Sequence, residues 1–253
     1  MQLDPSVAAA GVGLITHDTI GSTNTEALNL ARNGERGPLW VVARQQSAGR
    51  GRRGRAWVSE PGNLYASLLM TNAAPTERAA ELSFVAALAL HDAVGGRIPG
   101  IARRLGLKWP NDLLIDRNKF AGILIEGEGA AIAIGIGVNC VHHPANTAYP
   151  ATDLAAAGIR STPESLFAAL SAAMVRRLAQ WNRGEGFASI RTDWLERATG
   201  VGKPIRLVFA EGERAGHFEG IDQTGRLIMR LTDGTMETIT AGDVMPSNRR
   251  EPA

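Results

Sequence analysis

Two periods of apolar residues alternate along the chain. Short apolar runs mark buried strands, and longer stretches in which apolar residues return at three-to-four spacing mark helices. GLITHDTI (13–20), LWVVARQQ (39–46) and NLYASLLM (63–70) are of the first kind, as are LGLKWP (105–110), DLLID (112–116), KFAGILIEGEG (119–129) and AAIAIGIGVNC (130–140). Between the first two, STNTEALNLARNG opens with a helix-start signal, with Thr23 as N-cap, Glu26 as its capping-box partner and Gly34 at the end. A second helix is predicted from about Thr76 to Val94, burying Leu82, Val85, Leu88 and Ala89. A third runs from its cap Thr162 and Pro163 to Gly184, and FASIRTDWLERA (187–198) is a shorter fourth. From about Val201 the texture changes. PIRLVFA, RAGHFEGI, RLIMRL and METITAGDV are short strand candidates separated by EGE, DQTG and TDG, a spacing that indicates a small barrel. The chain therefore divides at about residue 200, into units 1–200 and 201–253.

Composition narrows the class. A hydrophobic fraction of 44% with 21% charged residues belongs to an ordinary globular protein. The formal net charge is only +2, so there is no basic coat of the kind that non-specific nucleic-acid binding requires. The single cysteine, Cys140, rules out an intrachain disulfide and a cysteine zinc cluster, and the adjacent His142 and His143 lack a nearby third ligand, so no metal is assigned to protein ligands. The first residues lack a signal-peptide pattern, and the longest small-apolar run, 129–138, falls short of the roughly 20 residues that a bilayer demands. A cytoplasmic protein without a membrane segment is expected.

One stretch resists that ordinary picture. In ARQQSAGRGRRGRAW (43–57), Arg50, Arg52, Arg53 and Arg55 are interleaved with Gly49, Gly51 and Gly54, between two predicted strands. Neighbouring like charges repel by about 1 kcal/mol per pair at 4 Å even in bulk water, and glycine adds an ordering cost. Such a loop settles when an anion joins it. KWPND (108–112), NKFAGILIE (118–126) and GIGVN (135–139) each begin or end a predicted strand and could converge with it on one pocket. Singly they also fit a solvated arginine surface, an exposed turn lysine at Lys119, a proline turn around Trp109 and close strand packing at Gly135 and Gly137.

Taken in order, these motifs resemble the catalytic domain of biotin protein ligases, the enzymes that attach biotin to the carboxyl-carrier subunit of carboxylases. The resemblance runs from STN to the C-terminus. It implies an α+β fold, a mixed β-sheet flanked by helices, followed by an SH3-like β-barrel from about Val201. It further implies ATP-dependent ligation through biotinyl-5'-AMP, with biotin and ATP as substrates and Mg2+ on the phosphates. The acceptor is a lysine of the biotin carboxyl-carrier protein, and the enzyme is a monomer or homodimer. By the same resemblance Ser22, Thr23, Asn24, Gln46, Arg50, Gly51, Arg52, Lys119 and Gly122 contact biotin. Arg52, Trp57, Asn111, Lys119 and Asn139 contact the nucleotide, where Cys140 and Val141 follow in place of the second asparagine that many relatives carry. Lys119, Arg52 and Asp112 carry the catalysis, Asp112 as base, as orienting carboxylate or as anchor of its turn.

The chemistry of the reaction agrees with these residue types. The biotin head group is a cyclic urea in an apolar bicycle, which asks for hydroxyl and amide groups in a hydrophobic slot, and Ser22, Thr23 and Gln46 supply them. The carboxylate must approach a polyphosphate, so cations must offset the repulsion, and Arg50, Arg52 and Lys119 are suited to that. A lipoate-type ligase would share the adenylation logic without GRGRRGR. A fused DNA-binding repressor needs more than the 21 residues before Ser22, so no DNA partner is expected. A single-stranded nucleic-acid binder would want more aromatic side chains than Trp57 beside the loop. Residues 201–253 carry none of the motifs and are not expected to form the biotin pocket.

Overall fold

The computed structural model describes residues 1–98, 100–209 and 212–246. The start of the turn predicted at 211–213 and the last part of the second unit, 247–253, lie outside the described residues. The first unit is a seven-stranded sheet of β1 (Gly13–Ile20), β2 (Leu39–Gln46), β3 (Leu64–Thr71), β4 (Leu105–Lys108), β5 (Asp112–Ile115), β6 (Asn118–Glu128) and β7 (Ala131–Val138) in the order β1-β2-β3-β7-β6-β5-β4. The β1–β2 pair is parallel and the others antiparallel, so the sheet is mixed as expected.

Both faces of the sheet are covered, which is why its central strands read as unbroken apolar runs. Along β2 the side chains alternate: Leu39 and Val41 meet Ala27 of α2 (Thr23–Arg32), whereas Trp40 and Val42 join the larger core on the opposite face. That core is built on α3 (Leu82–Gly95), α4 (Pro163–Trp181) and α5 (Phe187–Arg197). Thr162 caps α4 by accepting from Ser165 N, as its sequence predicts. Two expectations need correction. Residues Thr76–Glu81 form 3-10 turns rather than the start of α3, which begins at Leu82. A five-residue helix, α1 (Pro5–Ala9), capped by Asp4 with Pro5 at its first position, was not foreseen.

The second unit is a five-stranded antiparallel sheet, β8 (Pro204–Phe209), β9 (Gly212–Ile221), β10 (Leu227–Leu231), β11 (Met236–Ile239) and β12 (Asp243–Pro246), in the order β11-β10-β9-β8-β12. It is not a free appendage. Its Phe218, Ile221, Leu227 and Met229 belong to the same buried cluster as α3 and α5. At its centre Trp109, the tryptophan of KWPND, donates Nε1 to Gly225 O at 2.9 Å. Gly225 has a φ of +82°, and a Cβ there would stand 2.6 Å from the Phe84 ring, so only glycine lets this turn press against α3.

One ionic clamp ties the three core helices together. Arg177 of α4 reaches Asp92 of α3 at 2.8 Å and Asp193 of α5 at 2.5 Å. Burial alone would raise the Asp92 pKa, but the His91 and Arg177 hydrogen bonds and charges outweigh it and bring it down to about 2. A depressed folded-state value means that the ionised pair stabilises the fold above the unfolded pKa near 4, and that this contribution is lost as pH falls from there to about 2. Asp92→Asn is therefore expected to cost about 2 kcal/mol at pH 7 and almost nothing near pH 2. Urea unfolding of parent and variant across that range measures the convergence.

Candidate active site

The site begins at the N-terminus of α2. Ser22, in extended conformation, caps the helix by accepting from Thr25 N at 3.5 Å, one residue before the expected cap Thr23. Both side chains carry a hydroxyl, and the neighbouring strand decides between them. Thr23 is drawn to Gln46 at the end of β2, its N donating to Oε1 at 2.8 Å and its Oγ1 lying 3.1 Å from the same oxygen. Gln46 Nε2 then donates to Ser59 Oγ at 3.0 Å. Asn24 Nδ2 donates to Leu124 O at 3.2 Å and to Glu126 Oε2 at 2.8 Å, while its Oδ1 is 2.6 Å from Ser67 Oγ. Gly135 makes room for this amide, since a Cβ there would stand 2.4 Å from Asn24 Oδ1.

The arginine loop leaves β2 and crosses back on itself. Gly51 N donates to Arg55 O at 2.7 Å and Trp57 N to Gly49 O at 2.9 Å, and Arg50 pairs with Ala56 across the reversal. The turn is made by Arg53 and Gly54, both at positive φ, +56° and +71°. The charges find partners on distant elements. Arg50 pairs with Glu126 of β6 at 3.2 Å, and Arg52, Arg53 and Arg55 approach Asp243 of β12 at 3.9, 3.4 and 3.0 Å. Arg52 also donates to Asn111 Oδ1 at 3.2 Å and to Gly242 O at 3.3 Å. Burial lowers the Arg52 pKa from its ordinary value, with Asp243 and Asp112 opposing that shift.

KWPND and the start of β6 build a second charged cluster. Asp112 Oδ2 accepts from Lys108 Nζ at 2.8 Å and Oδ1 lies 2.5 Å from Lys119 Nζ. Burial would raise the Asp112 pKa, but the two ammonium groups prevail and hold its carboxyl well below the usual carboxylate range. The backbone around Lys119 is fixed by the segment beyond β7: Lys119 N donates to Pro150 O and Thr152 N to Lys119 O. Asn139 holds the same segment, its Nδ2 donating to Thr152 O at 3.1 Å. Cys140, Val141 and His142 each donate a backbone N–H to Asn63 Oδ1, so this divergent stretch is anchored through its backbone.

These groups surround one cavity of about 420 Å³, within the range of small-molecule sites. Its wall holds Ser22, Thr23, Asn24 and Gln46 from α2 and β2, and Arg50, Gly51, Arg52 and Trp57 from the loop. Asn111, Asp112, Lys119, Gly122 and Asn139 come from the adjoining strand ends, so every residue expected to contact biotin or nucleotide or to carry catalysis lines it. Trp57 lies across β6 and β7, where a Cβ at Gly122 would be 3.2 Å and at Gly137 2.7 Å from its ring. Its Nε1 is buried and has no partner among the described residues, leaving a donor in the wall. Lys119 Nζ sits 5.3 Å from the ring centroid.

Residues beyond 200, which carry none of the motifs, also reach the cavity, where Asp243 and Met245 line the wall beside the arginine loop. Sequence reasoning also left Lys108, Glu126 and Tyr149 without roles. Lys108 and Glu126 lie inside quoted motifs. Tyr149 stands under Lys108, its ring centroid 4.5 Å from Nζ, in a segment with no motif.

The biotin/lipoate A/B protein ligase family model matches residues 17–140, and the biotin protein ligase C-terminal domain model matches 200–245. A biotin acetyl-CoA-carboxylase ligase of Paracoccus denitrificans is 44% identical over 234 residues, spanning 88% of this chain and 96% of that protein. The bifunctional ligase/repressor BirA of Bacillus subtilis is 31% identical, over 91% of this chain and 73% of its own length. The structure of a biotin protein ligase from Aquifex aeolicus in complex with biotin and ATP superposes with a TM-score of 0.77 at 25% identity, covering 92% of this chain and 97% of that one.

The Lys108–Asp112–Lys119 cluster predicts a stability effect independent of any ligand. Asp112→Asn leaves two ammonium groups without their shared counter-charge, and loss of one partner from a buried ion pair costs about 3 kcal/mol. Urea unfolding at pH 7 is expected to register that loss, and Lys108→Met together with Asp112→Leu is expected to recover part of it.

Proposed function

The chain belongs to the biotin protein ligase family, and from that premise we propose that it activates biotin with ATP to biotinyl-5'-AMP and passes the biotinyl group to a lysine of a biotin carboxyl-carrier protein. The observation that carries this reading is the polarity of this cavity. Hydroxyl and amide groups of Ser22, Thr23 and Gln46 gather where α2 meets β2, and the cations Arg52 and Lys119 stand with Trp57 and Asn139 where the loop meets β6 and β7. A cyclic urea fits the first set and a phosphate beside an aromatic base fits the second. The division at about residue 200 then separates a catalytic unit from a C-terminal unit that completes its wall, which the change from the seven-stranded to the five-stranded sheet supports.

In the first half-reaction a biotin carboxylate oxygen attacks the α-phosphorus of ATP. A carboxyl O–P bond forms, the bond to the β-phosphate oxygen breaks, and pyrophosphate leaves. Arg52 and Lys119 offset the approach of anion to polyanion, and magnesium arrives on the ATP as part of that substrate. Asp112 has both oxygens engaged and is held ionised, so its role is to orient Lys119 rather than to accept a proton. In the second half-reaction the neutral amine of the acceptor lysine attacks the acyl carbon. The C–N bond forms, AMP leaves and the amine loses a proton.

Incubation of a purified carboxyl-carrier domain with the protein, biotin and MgATP is expected to add one biotinyl group, read by mass spectrometry. An unchanged mass would overturn the reading. Lys119→Ala is expected to leave biotin binding measurable by calorimetry while slowing adenylate formation by on the order of a thousandfold, because its charge acts mainly in the transition state. Equal losses in binding and rate would remove that role.

A further inference from the structure

We infer that Asp243 of the C-terminal sheet is a positioning residue that latches the arginine loop across the cavity. The inference deepens the proposed function and rests on it for its catalytic consequence, but the latch itself is a property of the protein alone. Arg55 Nη2 stands 3.0 Å from Oδ1, Arg53 Nη1 3.4 Å from Oδ2 and Arg52 Nη1 3.9 Å from Oδ1. Arg52 is also tied to the carbonyl of Gly242, the neighbour of Asp243. Three guanidiniums on the stretch from Arg52 to Arg55 thus turn to one carboxylate about 190 residues away in sequence.

The local backbone fits the same purpose. The left-handed turn at Arg53 and Gly54 reverses the chain, so that side chains before and after it point to one side. A left-handed non-glycine residue costs roughly 1–2 kcal/mol, so Arg53 needs partners to hold it there. Asp243 is well placed to supply one. It begins β12, is paired to Val208 of β8, and is carried on a sheet that Trp109 and Gly225 seat against the catalytic unit. Exposed ion pairs contribute little, and the Arg53 and Arg55 side chains are 39% and 56% exposed, but Asp243 itself is 18% and Arg52 19% exposed, so water weakens the shared carboxylate and its Arg52 contact less than a surface pair.

The latch stands on the cavity wall, which gives it a consequence for the reaction. An acyl-adenylate is a mixed anhydride that water hydrolyses and stray amines capture, so a loop held over it keeps it for the acceptor. Weakening the latch is expected to release adenylate into solution without abolishing its synthesis.

The first test uses the full-length protein without biotin or ATP. Trypsin cleavage between Arg50 and Arg55, mapped by mass spectrometry, is expected to be about tenfold faster in Asp243→Asn than in the parent, which corresponds to about 1.4 kcal/mol in the closing equilibrium. Asp243→Glu is expected to restore slow cleavage. Raising the salt concentration is expected to speed loop cleavage in the parent more than in Asp243→Asn, which keeps only the Arg50–Glu126 pair, a difference that general destabilisation would not give. If Asp243→Asn cleaves no faster than the parent, or responds to salt as the parent does, the inference falls. The second test adds biotin, MgATP and an unrelated lysine-rich protein, and Asp243→Asn is expected to biotinylate that bystander several times more than the parent. A parent that makes no biotinyl-adenylate would overturn the proposed function while the cleavage result still decides the latch. Adenylate synthesis with fast cleavage but no bystander labelling would overturn the retention role.

Discussion

Everything about this site follows from confining positive charge to a small space. Three arginines of one loop, Arg50, Arg52 and Arg55, and two lysines on neighbouring strand ends meet at a cavity of about 420 Å³, with Arg53 beside them on the same loop. Like charges at 4 Å oppose one another by about 1 kcal/mol in water and by several-fold more near a protein surface, so such a cluster closes only if opposite charge is built in. Three carboxylates provide it, each on a different strand: Glu126 on β6 for Arg50, Asp112 on β5 for Lys108 and Lys119, and Asp243 on β12 for Arg52, Arg53 and Arg55. The compensation is partial. One carboxylate facing three guanidiniums leaves net positive charge in the wall, as a site for anionic reactants requires.

The sheet order explains why those strands are the ones in reach. The end of β2, the start of β3, the end of β7 and the start of β6 lie at one end of the sheet, because each antiparallel step reverses the chain, and the short β5 sets the β4–β5 turn beside Gly122, a few residues along β6. Loops and termini held by such a rigid array keep their spacing, which suits residues that must meet reacting atoms within a fraction of an ångström. Glycine finishes the arrangement where side chains lie across strands. Trp57 rests against Gly122 and Gly137, and Asn24 against Gly135. Alternation and apolar runs that make a good sheet are interrupted in β7 by glycines because the second face must carry another residue's side chain.

Much of this was legible in the sequence, because strands buried on two faces announce themselves as apolar runs and the motif residues sit at their ends. The start of α2 was misplaced by one residue because Ser22 and Thr23 are equally able to cap, and only the distant Gln46 selects Thr23 for another bond. The 3-10 stretch at Thr76–Glu81 carried ordinary helix formers, and nothing local distinguishes it. The contribution of the C-terminal unit was hidden for a different reason. Asp243 follows a glycine in a short strand and looks like any turn acid, and what gives it meaning is a contact between segments nearly 190 residues apart. Chemistry carried by types at fixed spacing is readable, and chemistry carried by a docked partner is not.

The pairing of charges also bears on the proton economy of the proposed reaction. Among the described residues the carboxylates in the cavity wall are Asp112 and Asp243, each tied to cations, and Asp112 is held firmly ionised by two lysines. A group whose conjugate acid is so disfavoured accepts a proton poorly at neutral pH. A site arranged in this way is built to neutralise charge on phosphate and carboxylate, the demand of the adenylation step, and not to deprotonate an incoming amine. The acceptor lysine must then arrive already neutral, or lose its proton to water as it enters, and the second step must draw its rate from proximity and from AMP as a good leaving group. That asymmetry makes retention of the intermediate more important than acid–base assistance. A reactive anhydride that waits for a rarely neutral amine must be kept from water in the meantime, which is the task proposed for the loop that Asp243 faces.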